Sequence, residues 1–315
     1  MAGNTQPSIV KAGPEGIRAA AAILRKGGLV AVPTETVYGL AARADKDAAV
    51  ASIYRAKGRP SFNPLIVHVP DVEAARRLAQ FDARAQALAD AFWPGALTLV
   101  LPLRTDAGLA AAVTAGLPTV ALRCPAHPVM QALLAEAGLP FAAPSANRSG
   151  AVSPTTAAHV AASLGSNVDL ILDAGACAEG IESTIVAVRG DGSWQVLRPG
   201  PVTGEQLAAV LGSSPAEPRS DGIEAPGQLA SHYAPGKPVR LDALEAGGDE
   251  FHIGFGAIRG DISLSESGDC AEAASRLYAL LHRAAADSRP RIAVAPVPHE
   301  GMGIAINDRL KRAAA

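Results

Sequence analysis

The chain has 315 residues, 49% of them hydrophobic but only 4% aromatic, and a formal net charge of −2. This length is natural for two domains, and the near-neutral charge excludes the basic excess typical of proteins that wrap nucleic acid. Three widely spaced cysteines without a C-x-x-C pair argue against a disulfide framework or a structural zinc site. The polar first ten residues lack the apolar stretch of a signal peptide, and no apolar run approaches the roughly 20 residues of a membrane helix. We therefore expect a soluble, cytoplasmic protein.

Helices and strands alternate along the first 212 residues. Helical spacing of apolar residues predicts helices at 14–26, 47–56, 71–80, 83–92, 127–137, 156–164 and 204–211. Short buried runs predict strands at 29–32, 65–69, 97–101, 119–122, 141–143, 170–172, 184–188 and 195–197. This mixture predicts an α/β or α+β domain.

The composition changes after residue 212. Ser, Pro, Gly and acidic residues dominate much of 213–236, which is typical of a linker or mobile loop. The pattern then restarts, with strands predicted at 238–241, 251–255 and 291–295 and helices at 270–286 and 303–313. We therefore predict a first domain (1–212), a linker (213–236) that could act as a lid, and a small domain (237–315).

Two cations flank Gly58 in the predicted loop after the second helix. Lys57 offers a point charge to a phosphate, and Arg59 can contact two oxygens at once. Because Lys and Arg are also common at solvated helix C-termini, the pair taken alone favours a solvated helix end over a phosphate site. The chain contains no G-x-x-x-x-G-K-[ST] motif, so a standard P-loop is excluded.

Other polar residues follow predicted strands. Ser145 and Asn147 alternate after strand 141–143, so both can face one ligand, although a simple turn explains them as well. Arg123 ends strand 119–122, where a cation suits a carboxylate or is simply a surface residue. His68 lies within a strand, where a histidine is more often part of the core.

The predicted linker ends in an aromatic pair. His232 and Tyr233 either anchor the linker or fold over a ligand as a lid.

Ten stretches of the chain, in this order, resemble the long form of the threonylcarbamoyl-AMP synthase family. They are PTETVYGL (33–40), KGRPSFNPLIVHV (57–69), WPGALTLVL (93–101), ALRCP (121–125), PSANRSG (144–150), SPTT (153–156), ESTIV (182–186), LRPG (197–200), SHYAP (231–235) and INDRLKRA (306–313). The resemblance extends over nearly the whole chain from about residue 15. It includes the K-x-R and S-x-N pairs that are the signature of the family.

The resemblance implies a YrdC-like twisted sheet with a large concave cavity, followed by a linker and a small Rossmann-like α/β domain. It also implies a nucleotidyltransferase that converts L-threonine, bicarbonate and ATP, with Mg²⁺, to L-threonylcarbamoyl-AMP and pyrophosphate. A separate transferase would pass the threonylcarbamoyl group to tRNA, forming threonylcarbamoyladenosine. Weak tRNA binding is compatible with this role, and no membrane contact is expected.

The resemblance assigns site residues by position. The catalytic signature residues are Lys57, Arg59, Ser145 and Asn147. The corresponding ATP contacts are Lys57, Arg59, Asn63, Thr119, Asn147, Thr155, Arg198, His232 and Tyr233. The corresponding L-threonine contacts are Thr36, His68, Arg123, Ser145 and Ser183. No protein side chain is predicted as a metal ligand.

Three other functions are left open by the sequence. A non-catalytic module that binds double-stranded RNA or tRNA would show salt-dependent RNA affinity without ATP use. A carbamoyl-transfer domain of the hydrogenase-maturation type would normally lie in a much longer chain with acylphosphatase and zinc-binding parts. A regulatory ATP-binding protein would release no pyrophosphate.

Overall fold

The computed structural model describes residues 7–217, 222–228 and 231–315. Residues 218–221 and 229–230 of the predicted linker lie outside the described residues. The helices are α1 (Pro14–Arg25), α2 (Asp47–Lys57), α3 (Val72–Arg76), α4 (Ala83–Phe92), α5 (Ala111–Thr114), α6 (Pro128–Ala137), α7 (Ala157–Leu164), α8 (Gly204–Leu211), α9 (Cys270–Ala286) and α10 (Met302–Ala313). The strands are β1 (Ser8–Lys11), β2 (Val30–Val32), β3 (Gly39–Arg43), β4 (Ile66–His68), β5 (Leu97–Pro102), β6 (Thr119–Arg123), β7 (Phe141–Ala142), β8 (Leu170–Asp173), β9 (Thr184–Val188), β10 (Trp194–Arg198), β11 (Val239–Arg240), β12 (Glu250–Gly254), β13 (Ile262–Ser263) and β14 (Arg291–Val294).

The predicted helix at 71–80 is too long. Asp71 caps α3 by accepting a hydrogen bond from the Ala74 amide, but the helix ends at Arg76. The chain then turns toward the edge of β5, where the Gln80 amide donates to the Pro102 carbonyl and Ala79 forms a bridge with Leu103. Pairing with the neighbouring strand therefore replaces the last turns of the predicted helix.

Four short elements were absent from the sequence-based assignment, namely β1, β3, α5 and β13. Strand β3 has the sequence GLAAR, in which glycine and alanine have low strand propensity. It forms because it lies between β2 and β7, which supply hydrogen bonds on both sides. Elements of two to five residues are decided by such neighbours rather than by their own sequence.

Ten of the described strands form one mixed sheet in the order β1-β8-β2-β3-β7-β4-β6-β5-β9-β10. Successive residues of a strand face opposite sides of a sheet. Val67 and Ala142 thus pack into the main apolar core, which α2, α4, α7 and α8 cover, while their neighbours Ile66 and Ala143 face the other side. Helices α1 and α6 cover only part of that second face.

The uncovered part of the second face carries a small apolar cluster. Its members come from β4, β5, β6, β9 and β10, and Ala225 of the linker packs against them. No described helix contributes to this cluster. The linker therefore takes the place of a helix on this face, and a cavity lies beneath it.

The remaining described strands form a parallel sheet in the order β11-β14-β12-β13, with α9 and α10 packed against each other. Residues of the large domain join its core: Val37, Val152 and Ile181 belong to the same buried apolar cluster as Leu277 and Tyr278 of α9. The two sheets are therefore joined by a shared core. None of the described helices is long and apolar enough to cross a lipid bilayer.

We expect Gly180→Ala to destabilise this junction more than Gly175→Ala. Both glycines have positive φ angles, of +72° and +83°, so each substitution carries a backbone cost of about 1–2 kcal/mol. A Cβ atom at Gly180 would also overlap the Ser275 backbone in α9, whereas one at Gly175 meets nothing within 4 Å. Urea unfolding should show an additional loss of about 1–3 kcal/mol for Gly180→Ala. Equal losses would contradict the close approach of α9.

Candidate active site

A cavity of about 50 Å³ lies between the large sheet and the linker. Its polar lining comes from strand ends and loops of the large sheet and from the end of the linker. The polar lining residues are Thr34, Thr36, Arg59, His68, Arg123, Ser145, Glu182, Ser183, Arg198, His232 and Tyr233. Pro226 and Gly227 of the linker cover its outer side.

The end of α2 places two cations side by side. Gly58 adopts the left-handed conformation at φ +61°, which ends the helix and lets the Arg59 amide donate back to the Tyr54 carbonyl. Lys57 Nζ donates to the backbone carbonyls of Ser145 and Asn147, each at 2.5 Å. The helix end is thereby fastened to the S-x-N loop.

Arg59 lines the cavity and is held by oxygens that carry no full charge. Its guanidinium donates to Asn63 Oδ1 at 2.6 Å and to the Pro64 carbonyl at 2.8 Å. Burial lowers the pKa of Arg59 to about 10, and the nearby charge of Arg198 contributes to this shift. Asn63 therefore supports Arg59 from behind rather than facing the cavity.

A β-bulge turns Arg198 toward the same cavity. Val196 pairs with Val186, but Arg198 pairs with Ile185, so one extra residue is inserted in β10. This shift places Arg198 on the face opposite Val196, which is the face that carries the cavity. Its Nε and Nη2 atoms donate to the Ser183 carbonyl at 3.1 and 2.9 Å.

Lys57, Arg59 and Arg198 are all buried, and none has a carboxylate at ion-pairing distance in the described part of the chain. Burial, reinforced by the charge of Arg59, holds the pKa of Lys57 well below its usual value. Burial also lowers the pKa of Arg198. Buried charges without an ionic partner are costly, so this group favours an incoming anion.

Arg123 extends from the end of β6 and lines the same cavity. Its Nη1 donates to Thr36 Oγ1 at 2.8 Å, and its Nη2 pairs with Glu35 Oε1 at 2.6 Å. Burial would raise the pKa of Glu35, but the charge of Arg123 outweighs it and lowers that pKa. Glu35 therefore stays ionised and orients the guanidinium.

Several buried polar atoms near the cavity have no hydrogen-bond partner among the described residues. They are His68 Nδ1, Asn147 Oδ1, His232 Nδ1 and the Tyr233 hydroxyl. Burial lowers the pKa values of His68 and His232 to about 3, so both imidazoles are neutral. Buried polar groups are normally satisfied, and three of these four residues line the cavity. The site is therefore prepared for a polar ligand.

The linker residue Tyr233 closes the cavity in a strained conformation. Its φ angle is +63°, which is rare for a residue with a side chain, and its ring packs between His232 and Tyr278. Next to it, the Ala234 amide donates to the Gly150 carbonyl at 2.8 Å. Strain of this kind persists only where surrounding contacts enforce it.

Family models match the chain in two consecutive parts. The Sua5/YciO/YrdC model, described as telomere recombination, matches residues 22–200. A model described as threonylcarbamoyl-AMP synthase, C-terminal domain, matches residues 202–315. This chain belongs to the threonylcarbamoyl-AMP synthase family.

Relatives in this synthase family support both parts. The threonylcarbamoyl-AMP synthase of Bacillus subtilis is 49% identical over 230 residues, which span 71% of this chain and 66% of that protein. The synthase of Pyrococcus abyssi is 37% identical over 322 residues, covering 94% of this chain and 93% of that protein. The crystal structure of P. abyssi Sua5 complexed with L-threonine has a TM-score of 0.89 over 98% of this chain and 97% of that chain, at 35% identity. The predicted family and fold class are confirmed.

The residues assigned from the family resemblance fall into three groups in this synthase-family chain. Those that line the cavity are Thr36, Arg59, His68, Arg123, Ser145, Ser183, Arg198, His232 and Tyr233. Lys57, Asn63 and Asn147 lie directly behind the lining. Thr119 and Thr155 do not line it.

The two outlying threonines occupy other surroundings. Thr119 begins β6, whereas Arg123 ends it, and Thr119 lines a separate surface depression with Val188 and Glu224. The Thr155 hydroxyl contacts His159 Nδ1 at 3.4 Å. Their assignment to ATP remains a prediction from position in the family.

Sequence reasoning missed the two carboxylates of the site. Glu35 pairs with Arg123, and Glu182 lines the cavity and contacts the second domain. Both lie in stretches that carry the family resemblance, beside residues that were singled out. Each carboxylate pairs with an arginine that is distant in the sequence, so no local pattern signals its role.

We expect the cation group to bind inorganic pyrophosphate and Arg198→Met to weaken that binding about tenfold or more. The arginine supplies a charge-assisted contact that methionine lacks, and the remaining two cations keep part of the affinity. The control is Arg148→Met, because Arg148 is an exposed residue beside the S-x-N loop. Titration calorimetry measures both. Equal affinities in the two variants would show that anions bind elsewhere.

Proposed function

We propose that this chain synthesises L-threonylcarbamoyl-AMP from L-threonine, bicarbonate and ATP, with release of pyrophosphate. The reaction is a nucleotidyl transfer and the first step of threonylcarbamoyladenosine formation in tRNA. One observation carries the proposal: a single cavity is lined by Arg123 and by two buried cations, Arg59 and Arg198, that have no ionic partner among the described residues. Lys57 lies directly behind this lining. Such a site suits a carboxylate substrate together with a polyphosphate.

The proposed partner of the threonine carboxylate is Arg123. The Arg123 guanidinium is oriented by its contacts with Glu35 Oε1 at 2.6 Å and Thr36 Oγ1 at 2.8 Å. Hydroxyls of Ser145 and Ser183 and the neutral ring of His68 offer uncharged hydrogen-bonding groups nearby. The P. abyssi structure contains L-threonine, which supports an amino acid as one substrate.

Lys57, Arg59 and Arg198 are proposed to contact the phosphates of ATP. Their hydrogen bonds to backbone carbonyls and to Asn63 position them before any ligand arrives. Fixed donors of this kind stabilise the charge that develops on a transferring phosphoryl group without reorganisation.

Mg²⁺ is proposed to enter with the nucleotide. Among the described residues, no group of three or more His, Cys, Asp or Glu side chains could hold a metal. Mg²⁺ usually keeps several waters and binds substrate phosphates, so few protein ligands are needed. Bound in this way, it would neutralise phosphate charge beside the three cations.

In the proposed reaction, the threonine amine and bicarbonate form a carbamate, with loss of water. A carbamate oxygen then attacks the α-phosphorus of ATP, the bond to the β-phosphate oxygen breaks, and pyrophosphate leaves. No described side chain has to become a covalent nucleophile. Positioning and electrostatic stabilisation by the cavity groups would supply the catalysis.

The linker is proposed to open for ATP and to close over the intermediate. Ligand pockets for drug-sized molecules measure about 300–1,000 Å³, so a cavity of about 50 Å³ is far too small for a nucleotide. His232 and Tyr233 would therefore move outward on binding. Once closed again, they would exclude water from a labile acyl phosphate.

The product would be consumed by a separate transferase that acts on tRNA, and we propose that the chain works in the cytoplasm beside it. Weak tRNA binding would help this transfer. A non-catalytic RNA-binding role is the alternative, and the cavity geometry favours small ligands over it.

We expect threonine-dependent pyrophosphate release from ATP, Mg²⁺ and bicarbonate, and a loss of at least 100-fold in Lys57→Ala. Lysine removal takes one phosphate contact and detaches the S-x-N loop from α2. Lys46→Ala is the matched control, because Lys46 is exposed at the opposite end of the same helix. A phosphate-coupled assay measures release, and thermal melting checks folding.

Other outcomes of the pyrophosphate-release assay would favour other functions. Release that ignores threonine would point to another acceptor. No release by a folded wild-type protein, together with salt-dependent RNA binding, would favour the RNA-binding alternative.

Two substitutions at Tyr233 separate the lid from its hydroxyl group. Tyr233→Ala should release threonylcarbamoyl-AMP into solution several-fold faster, because the ring that closes the cavity is lost. Tyr233→Phe keeps the ring and removes only the unpaired hydroxyl, so retention should stay near the wild-type level. Rapid filtration with radiolabelled threonine measures retention. Unchanged leakage in Tyr233→Ala would refute a lid role.

A further inference from the structure

Arg309 of α10, in the second domain, contacts two residues of the cavity lining, Glu182 and Tyr233. It is completely buried, although arginine is rarely so, and its Nε atom donates to Glu182 Oε2 at 3.0 Å. Its Nη1 atom pairs with Asp308 at 2.7 Å. Its guanidinium carbon lies 5.5 Å from the centre of the Tyr233 ring. One side chain therefore contacts both a carboxylate of the cavity lining and the lid tyrosine.

The Glu182 carboxylate is held by hydrogen bonds from groups other than the cavity cations. Oε2 accepts from Arg309 and from the Tyr278 hydroxyl at 2.7 Å, and Oε1 accepts from Ser153 Oγ at 2.5 Å. Two of these three donors belong to the second domain. Glu182 nevertheless lines the same cavity as Arg59 and Arg198.

The charge of Glu182 interacts with cations that are proposed to bind phosphate. Burial would raise the pKa of Glu182, but Arg309 and Arg198 outweigh it and lower that pKa to about 2. Glu182 in turn acts on Lys57 and raises its pKa against the effect of burial. An ionised carboxylate this close would neutralise cations that the nucleotide needs, if nothing held it elsewhere.

We propose that Arg309 is a positioning residue that holds Glu182 away from Lys57, Arg59 and Arg198, so that their charge stays available for polyphosphate. This inference rests on the proposed function and gives the second domain a role in it. Tyr278 assists through its hydroxyl group. Loss of Arg309 would let the Glu182 carboxylate turn toward the cations and compete with the ligand.

Because the proposal makes Glu182 compete with the ligand when Arg309 is lost, a double-mutant cycle of these two residues tests it. In Arg309→Met, the affinity for pyrophosphate and the KM for ATP should each worsen about tenfold or more, while the KM for threonine changes less than threefold. In Glu182→Gln, which removes the competing charge, nucleotide affinity should be unchanged or tighter. The double variant should then match Glu182→Gln within about threefold, because no carboxylate remains to interfere.

A merely structural role for Arg309 gives a different pattern. It would weaken ATP binding equally in Arg309→Met and in the double variant, and that result would overturn the proposal. Unchanged pyrophosphate affinity in Arg309→Met would overturn it as well. Arg276→Met, at an exposed ion pair of α9, serves as the control for a lost arginine in the second domain.

The experiment must distinguish a loss of folding from a loss of ligand binding. Removing one partner of a buried ion pair can cost 3–5 kcal/mol, so Arg309→Met could unfold, whereas replacing both partners is often neutral. If it unfolds, Arg309→Lys with and without Glu182→Gln supplies the same comparison. Pyrophosphate affinity is measured by calorimetry without catalysis, so a wild-type protein that fails to turn over would refute the proposed function while this cycle still reports on Arg309.

Discussion

Three buried cations that have no ionic partner among the described residues impose the main constraint on this structure. Removing a charge from water is costly unless hydrogen bonds and an opposite charge compensate. Here backbone carbonyls of the S-x-N loop, Pro64 and Ser183 provide part of that compensation, together with the side-chain oxygen of Asn63. The opposite charge is left for a ligand. The left-handed turn at Gly58 and the bulge in β10 both serve to bring these cations together, which explains why local backbone irregularities occur next to the site.

The same constraint governs the carboxylates. Glu35 is paired with Arg123, and Glu182 with Arg309, so neither neutralises the three cations directly. Arg123 is thereby oriented by an ionic partner while the phosphate-binding group is not. In the proposed site, the part around Arg123 therefore has a guanidinium that is already paired. The part around Arg59 and Arg198 has excess positive charge. A substrate with one carboxylate and a substrate with several phosphates fit these two parts respectively.

Much of the fold could be predicted from the sequence, because long elements such as α9 (270–286) have strong apolar periodicity and clear caps. Strand β3 could not be predicted, because its alanines form a strand only between two partners. The cations of the site were recognised from the resemblance and from their positions around the end of α2 and at strand ends. Glu182 and Arg309 were missed, because their pairing joins residues 127 positions apart and no local pattern signals it. Thr119 was assigned to the site but lies outside the cavity. It is in the same strand as Arg123, at the opposite end.

Closure of the cavity depends on a few local contacts, and this makes opening feasible. The lid is attached through the Ala234 amide to Gly150, through the His232 amide to the Arg312 carbonyl, and through the Tyr233 ring to its neighbours. Each hydrogen bond contributes only about 0.5–1.5 kcal/mol net, and the positive φ of Tyr233 opposes closure by about 1–3 kcal/mol. The closed form is thus stabilised by contacts that a bound nucleotide could displace at modest cost. Because most of those contacts come from the second domain, the lid cannot be understood from the large sheet alone: the large sheet supplies the charges, and the second domain determines how tightly they are enclosed.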